Sequence, residues 1–140
     1  MILGLGNDLV SVSRLARSVE RSGEAFLRKV YTPEELEGAP PPGTRRNEYL
    51  AGRWAAKEAL AKALGCGITE HCRLNEICTL NDPGSGRPRL TLSGAARHTA
   101  DRLGVNSIHL SIAHEHDYAI ATVVLEGLHH GHALPPSGPA

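Results

Sequence analysis

Apolar positions along the chain switch between a period of two and a period near 3.6, and the switch points mark the elements. Residues 2–6, Ile-Leu-Gly-Leu-Gly, form a short apolar run that predicts a buried first strand ending at Asn7-Asp8. Gly4 and Gly6 in that run mark a place where another backbone comes close. Helical spacing follows over 11–20, with Val12, Leu15, Ala16 and Val19 on one side and Arg14, Arg17 and Arg21 on the other. Ser11 or Ser13 can cap this helix. Gly23 breaks it, and 24–31 reads as a short second helix. Thr32-Pro33-Glu34-Glu35 is a helix start in which Thr32 caps, Pro33 takes the first helical position and Glu35 closes a capping box. Prolines 40–42 then end the helix, and 38–46 reads as an exposed loop.

The longest periodic stretch is 49–65, rich in Ala, Leu, Lys, Glu and Arg and stopped by Gly65. Beyond it, 74–80 and 89–92 read as two strands joined by the turn-forming run Asn81-Asp82-Pro83-Gly84-Ser85-Gly86. Residues 95–103 form a helix stopped by Gly104. Residues 108–113 alternate as a strand, 114–117 turn, and the nearly unbroken apolar run 118–125 predicts the central strand of the sheet. The pattern is α+β: an antiparallel sheet wrapped around one long central helix, in a single domain over 1–127. Residues 128–140, with His129, His130, His132 and three prolines, read as a disordered tail without a structural metal site.

Composition narrows the function. The chain has 140 residues, enough to bury a core. With one Phe, one Trp and three Tyr, that core must be aliphatic. Fifteen basic residues balance fifteen acidic ones, which argues against a nucleic-acid or membrane-surface partner. No apolar run approaches the roughly 20 residues that span a bilayer. The first residues lack the basic start of a signal peptide, so a cytoplasmic location is expected. The three cysteines, Cys66, Cys72 and Cys78, match no zinc or disulfide spacing and are expected as reduced thiols.

Candidate chemistry gathers in the long helix. Ala51, Ala55, Ala59 and Ala63 make a row that lets a neighbour approach closely, while Trp54, Glu58 and Lys62 share another face. A carboxylate between basic residues on such a helix is either a polar site or a solvated ion pair worth roughly 0.3–0.5 kcal/mol. Asp8, at the end of the first strand, is either a helix cap or a ligand.

Two blocks go further: 4–14, Gly-Leu-Gly-Asn-Asp-Leu-Val-Ser-Val-Ser-Arg, and 50–65, Leu-Ala-Gly-Arg-Trp-Ala-Ala-Lys-Glu-Ala-Leu-Ala-Lys-Ala-Leu-Gly. Together they resemble the holo-(acyl-carrier-protein) synthase family of 4′-phosphopantetheinyl transferases. Phe26-to-Glu35, Gly86-to-Leu90, and His109-to-His114 with Tyr118-to-Ala121 agree in order and spacing. The chain departs from the family pattern at Trp54 (usually Phe), Ala113 (usually Ser or Thr) and Glu115 (often Asp).

The resemblance implies a magnesium-dependent enzyme that transfers the phosphopantetheine arm of coenzyme A to a serine of apo-acyl carrier protein, releasing adenosine 3′,5′-bisphosphate. It implies Asp8 and Glu58 as metal ligands and a homotrimer with the coenzyme between subunits. Mg²⁺ is suited by one or two carboxylates completed by phosphates and water. Arg53, Lys57, Lys62 and His114 are the expected phosphate contacts. Glu58, directly or through a water, is the expected proton acceptor, with Asp8 as the alternative. Arg14, with Arg17 and Arg21, could meet the acidic carrier. A non-catalytic module that binds coenzyme A or a carrier protein is the alternative.

Overall fold

A computed structural model describes residues 1–128. The tail expected over 128–140, with its histidines 129, 130 and 132, lies outside them apart from Leu128. The chain runs β1 (Ile2–Ser11), α1 (Val12–Val30), α2 (Pro33–Glu37), α3 (Thr44–Leu64), β2 (Ile77–Asn81), β3 (Pro88–Leu92), α4 (Gly94–Leu103), β4 (Val105–Glu115) and β5 (Tyr118–Gly127). Three strands form one antiparallel sheet in the order β1-β5-β4, and β2 and β3 form a separate hairpin. The apolar run of β5 therefore takes the central place expected of it.

Helix α3 lies across this sheet, and β1 shows why it can. A strand points alternate residues to opposite faces, which puts Gly4, Gly6 and Asp8 together on one of them. A Cβ on Gly4 would land on the Ala63 carbonyl oxygen. One on Gly6 would strike the Ala59 carbonyl and come within 2.7 Å of the Ala63 nitrogen. The two glycines let backbone meet backbone, and the alanine row answers from the helix side: Ala51, Ala55, Ala59 and Ala63 are all buried. Gly6→Ala should force strand and helix apart, costing about 3 kcal/mol in a urea titration. A loss below about 0.5 kcal/mol would mean the contact can slacken freely.

Several boundaries differ from the pattern reading. β1 does not stop at Asp8, because Asp8, Leu9 and Val10 pair with Ala121, Ile120 and Ala119 of β5. Helix α3 begins at Thr44, so the expected loop over 38–46 gives up its last residues to the helix. Leu74–Glu76 is a single 3-10 turn ahead of β2. β4 extends to Glu115, leaving His116 and Asp117 as the turn, with His116 at φ 52°. Gly23 breaks α1 as expected, with φ 57° and ψ −141°. The cysteines are free, and burial pushes the Cys72 thiol up to about 12.

The β4–β5 turn also caps α1. The Asp117 carboxylate accepts from Ser13 N at 2.9 Å, Ser13 Oγ at 2.6 Å and Ser11 Oγ at 2.8 Å. The two serine hydroxyls, Ser13 first, hold this carboxyl below the usual carboxylate range. A folded value below the unfolded one stabilises the fold above the unfolded pKa, and the gain is lost as pH falls through the folded value. Asp117→Asn should therefore lower the melting temperature at pH 7, and the difference from the parent should close in acid. A constant difference between pH 7 and pH 2.5 would show that the charge is irrelevant.

Candidate active site

Helix α3 is buried on almost every side. From Leu50 to Leu64 just three residues are not buried: Trp54, Glu58 and Lys62. They are spaced by four, so the helix keeps a single open stripe, and it lies beside β1. At one end Trp54 stacks on Phe26 of α1, centroids 6.0 Å apart. At the other, Lys62 Nζ sits 3.1 Å from Asp8 Oδ1 and donates to the Asn7 carbonyl at 3.0 Å.

Glu58 stands one turn before Lys62 and feels both neighbours. Partial burial raises the pKa of its carboxyl and the Asp8 carboxylate raises it further, while Lys62 pulls it down. A polar site on a buried helix is the arrangement found here. Asp8 does not cap α1; Ser11 and Asp117 do.

The two half-buried carboxylates, reached from a strand and a helix fifty positions apart, suit a hard cation. Among the described residues no group of three or more His, Cys, Asp or Glu stands together. A cation here would draw the rest of its shell from water and substrate oxygens. That is the manner of Mg²⁺, so the donor set fits the metal the resemblance implies.

The other expected phosphate contacts are not in this cluster. Lys57, on the side of α3 facing β2, is fully buried. Its ammonium donates to Glu35 Oε1 at 2.7 Å, to the Leu74 carbonyl at 3.0 Å and to the Ile77 carbonyl. All three protons are spent inside the protein, which corrects the expectation that Lys57 touches a phosphate.

Arg53 shares that side. It lies over the Tyr49 ring at 4.0 Å and donates from Nη2 to Asn81 Oδ1 at 3.1 Å, while its buried Nε has no partner among the described residues. His114, on β4 at the far edge of the sheet from Asp8, rests over Gly52 with Nε2 3.0 Å from the Glu48 carbonyl. Arg53 and His114 are thus separated from Asp8, Glu58 and Lys62 within one chain.

Sequence reasoning missed the second role of Glu35. Its carboxylate closes the capping box by accepting from Thr32 N at 3.0 Å, takes Lys57, and accepts from Thr79 N at 2.9 Å. A lysine set between Ala55, Ala56 and Ala59 was the available signal, because a buried ammonium requires a carboxylate somewhere.

Residues 4–123 match the model of the 4′-phosphopantetheinyl transferase superfamily. The chain belongs to that superfamily. Within it, the holo-[acyl-carrier-protein] synthase of Vibrio cholerae is 44% identical over 126 residues, covering 90% of this chain and 98% of that protein. The synthase of Edwardsiella ictaluri is 46% identical over the same shares of the two chains. Among solved structures, the Neisseria meningitidis synthase superposes with a TM-score of 0.82 at 38% identity, covering 90% and 99% of the two chains. The Bacillus anthracis synthase, solved in complex with coenzyme A (3′,5′-ADP), gives 0.77 at 34% identity, covering 91% and 99%. The superfamily fold is therefore the fold of this chain, with α3 packed across the β1-β5-β4 sheet.

Proposed function

We propose that this protein is a holo-(acyl-carrier-protein) synthase. It moves the 4′-phosphopantetheine arm of coenzyme A to a serine of apo-acyl carrier protein and releases adenosine 3′,5′-bisphosphate. The observation that carries this reading is similarity to named synthases along nearly the whole length of both chains.

The serine oxygen of the carrier attacks the phosphorus that bears the pantetheine arm. A P–O bond forms there, and the P–O bond to adenosine 3′,5′-bisphosphate breaks. Glu58, whose carboxyl burial and the Asp8 charge raise above its ordinary value, is placed to accept the serine proton, directly or through a water. Lys62 supplies a mobile positive charge for the pyrophosphate oxygens. Asp8 and Glu58 would hold Mg²⁺, which would neutralise charge on the pyrophosphate.

The enzyme is proposed to act as a homotrimer in the cytoplasm. Support for assembly comes from the face of the sheet away from α3. Leu5, Leu9, Tyr118 and Ile120 stand exposed there, at 67%, 62%, 53% and 39%. Bare apolar side chains on one face are what an interface covers. No helix among the described residues is long and apolar enough to cross a membrane.

The test is incubation with coenzyme A, Mg²⁺ and an apo-carrier protein. The carrier should gain the mass of one phosphopantetheine, and light scattering should give three chains per particle. Coenzyme binding without a mass gain would favour a binding module instead.

A further inference from the structure

Helix α3 carries two lysines in contact with carboxylates, and they are built differently. Lys57 and Glu35 are fully buried, and the ammonium is saturated by three acceptors. Lys62 is 53% exposed, while the Asp8 carboxylate it meets is 17% exposed. Its two bonds are to Asp8 Oδ1 and the Asn7 carbonyl, both on β1, and both are solvent-exposed contacts. The first lysine is fixed. The second has a long flexible stem, an open side and, among the described residues, a third proton free for another acceptor.

Glu58 stands one turn away on the same open stripe. The carboxylate pair therefore already has a cation beside it. A divalent ion approaching from solvent meets an ammonium that repels it and holds one of the oxygens it would take. A pyrophosphate arriving with the ion changes this balance, because its oxygens offer the ammonium a stronger partner than a main-chain carbonyl does.

We infer that Lys62 is a displaceable counter-ion for Asp8 and Glu58. In the free protein it weakens divalent-cation binding at the pair, and it transfers to the pyrophosphate when cation and coenzyme bind together. The inference rests on the transferase reading above. It makes cation and coenzyme bind cooperatively, each raising the affinity for the other by the same factor.

The test uses Mn²⁺ as a spin-visible probe, titrated into the full chain at low ionic strength with and without coenzyme A. Without coenzyme, Lys62→Met should bind Mn²⁺ about fivefold more tightly than the parent protein. Lys62→Arg, which keeps the charge, should bind as the parent does. With coenzyme present, the advantage of Lys62→Met should vanish or reverse. Equal Mn²⁺ affinity of parent and Lys62→Met without coenzyme, while Asp8→Asn still loses the ion, would overturn the counter-ion role and leave the metal pair standing. Undiminished Mn²⁺ binding by Asp8→Asn with coenzyme present would instead remove the metal pair, and this inference with it.

Discussion

Glu58→Gln is expected to lower turnover by about 10³-fold while leaving the protein at least as stable as before. The amide keeps the shape of the side chain and loses the charge that the proposed chemistry uses twice, for the cation and for the serine proton. Stability should move the other way. A carboxyl whose folded pKa is raised binds its proton more readily in the folded state than in the unfolded one. Above its unfolded value such a group opposes folding, and the opposition fades as pH falls through the folded value. Removing the charge relieves that cost, so the melting temperature at pH 7 should hold or rise, and the difference should disappear in acid. Turnover within threefold of the parent, in this variant and in Asp8→Asn, would remove the carboxylates from the chemistry.

Lys57→Met is expected to cost about 3–5 kcal/mol, the largest loss of stability from a single side chain here. The change strands the Glu35 carboxylate in a site with no exposure, facing the Thr32 and Thr79 amides alone. It also takes a donor from the Leu74 and Ile77 carbonyls. The intact pair is no large asset in itself. Burial pulls the Lys57 pKa below its ordinary value even though Glu35 pushes it up, so desolvation outweighs attraction for the lysine. The cost lies in breaking the pair, so Lys57→Met with Glu35→Leu should recover part of the loss in a double-mutant cycle. Strictly additive losses would mean that the two side chains act independently. Coenzyme affinity per folded molecule should change little in Lys57→Met, since the ammonium faces away from the open stripe.

The two lysines of α3 illustrate what a sequence reveals and what it conceals. Lys57 and Lys62 lie five residues apart in one alanine-rich run, and the sequence offers both alike as phosphate contacts. Which side of the helix is covered depends on β2, the 3-10 turn and Glu35, all distant in the chain. Helical spacing separates Arg53 and Lys57 from Trp54, Glu58 and Lys62, but it does not say which stripe stays open. His114 was limited in the same way: its strand was legible, yet its seat over Gly52, away from Asp8, depends on the order of strands in the sheet. Glu35 was read through its capping box, a local motif that is present, while its long-range partner Lys57 was out of view.

Local chemistry along the chain was enough for the elements, the break at Gly23, the stop at Gly65 and the central place of β5. It also sufficed for the close approach at Gly4 and Gly6, because each of these follows from a few neighbouring residues and their backbone preferences. The family followed too, from two blocks that keep their residues and spacing. The tertiary structure alone decided that Asp8 belongs to a strand facing α3, that Lys62 meets it, and that Lys57 is enclosed. Those outcomes turn on which surfaces bury one another, and burial is a property of contacts between segments far apart in sequence.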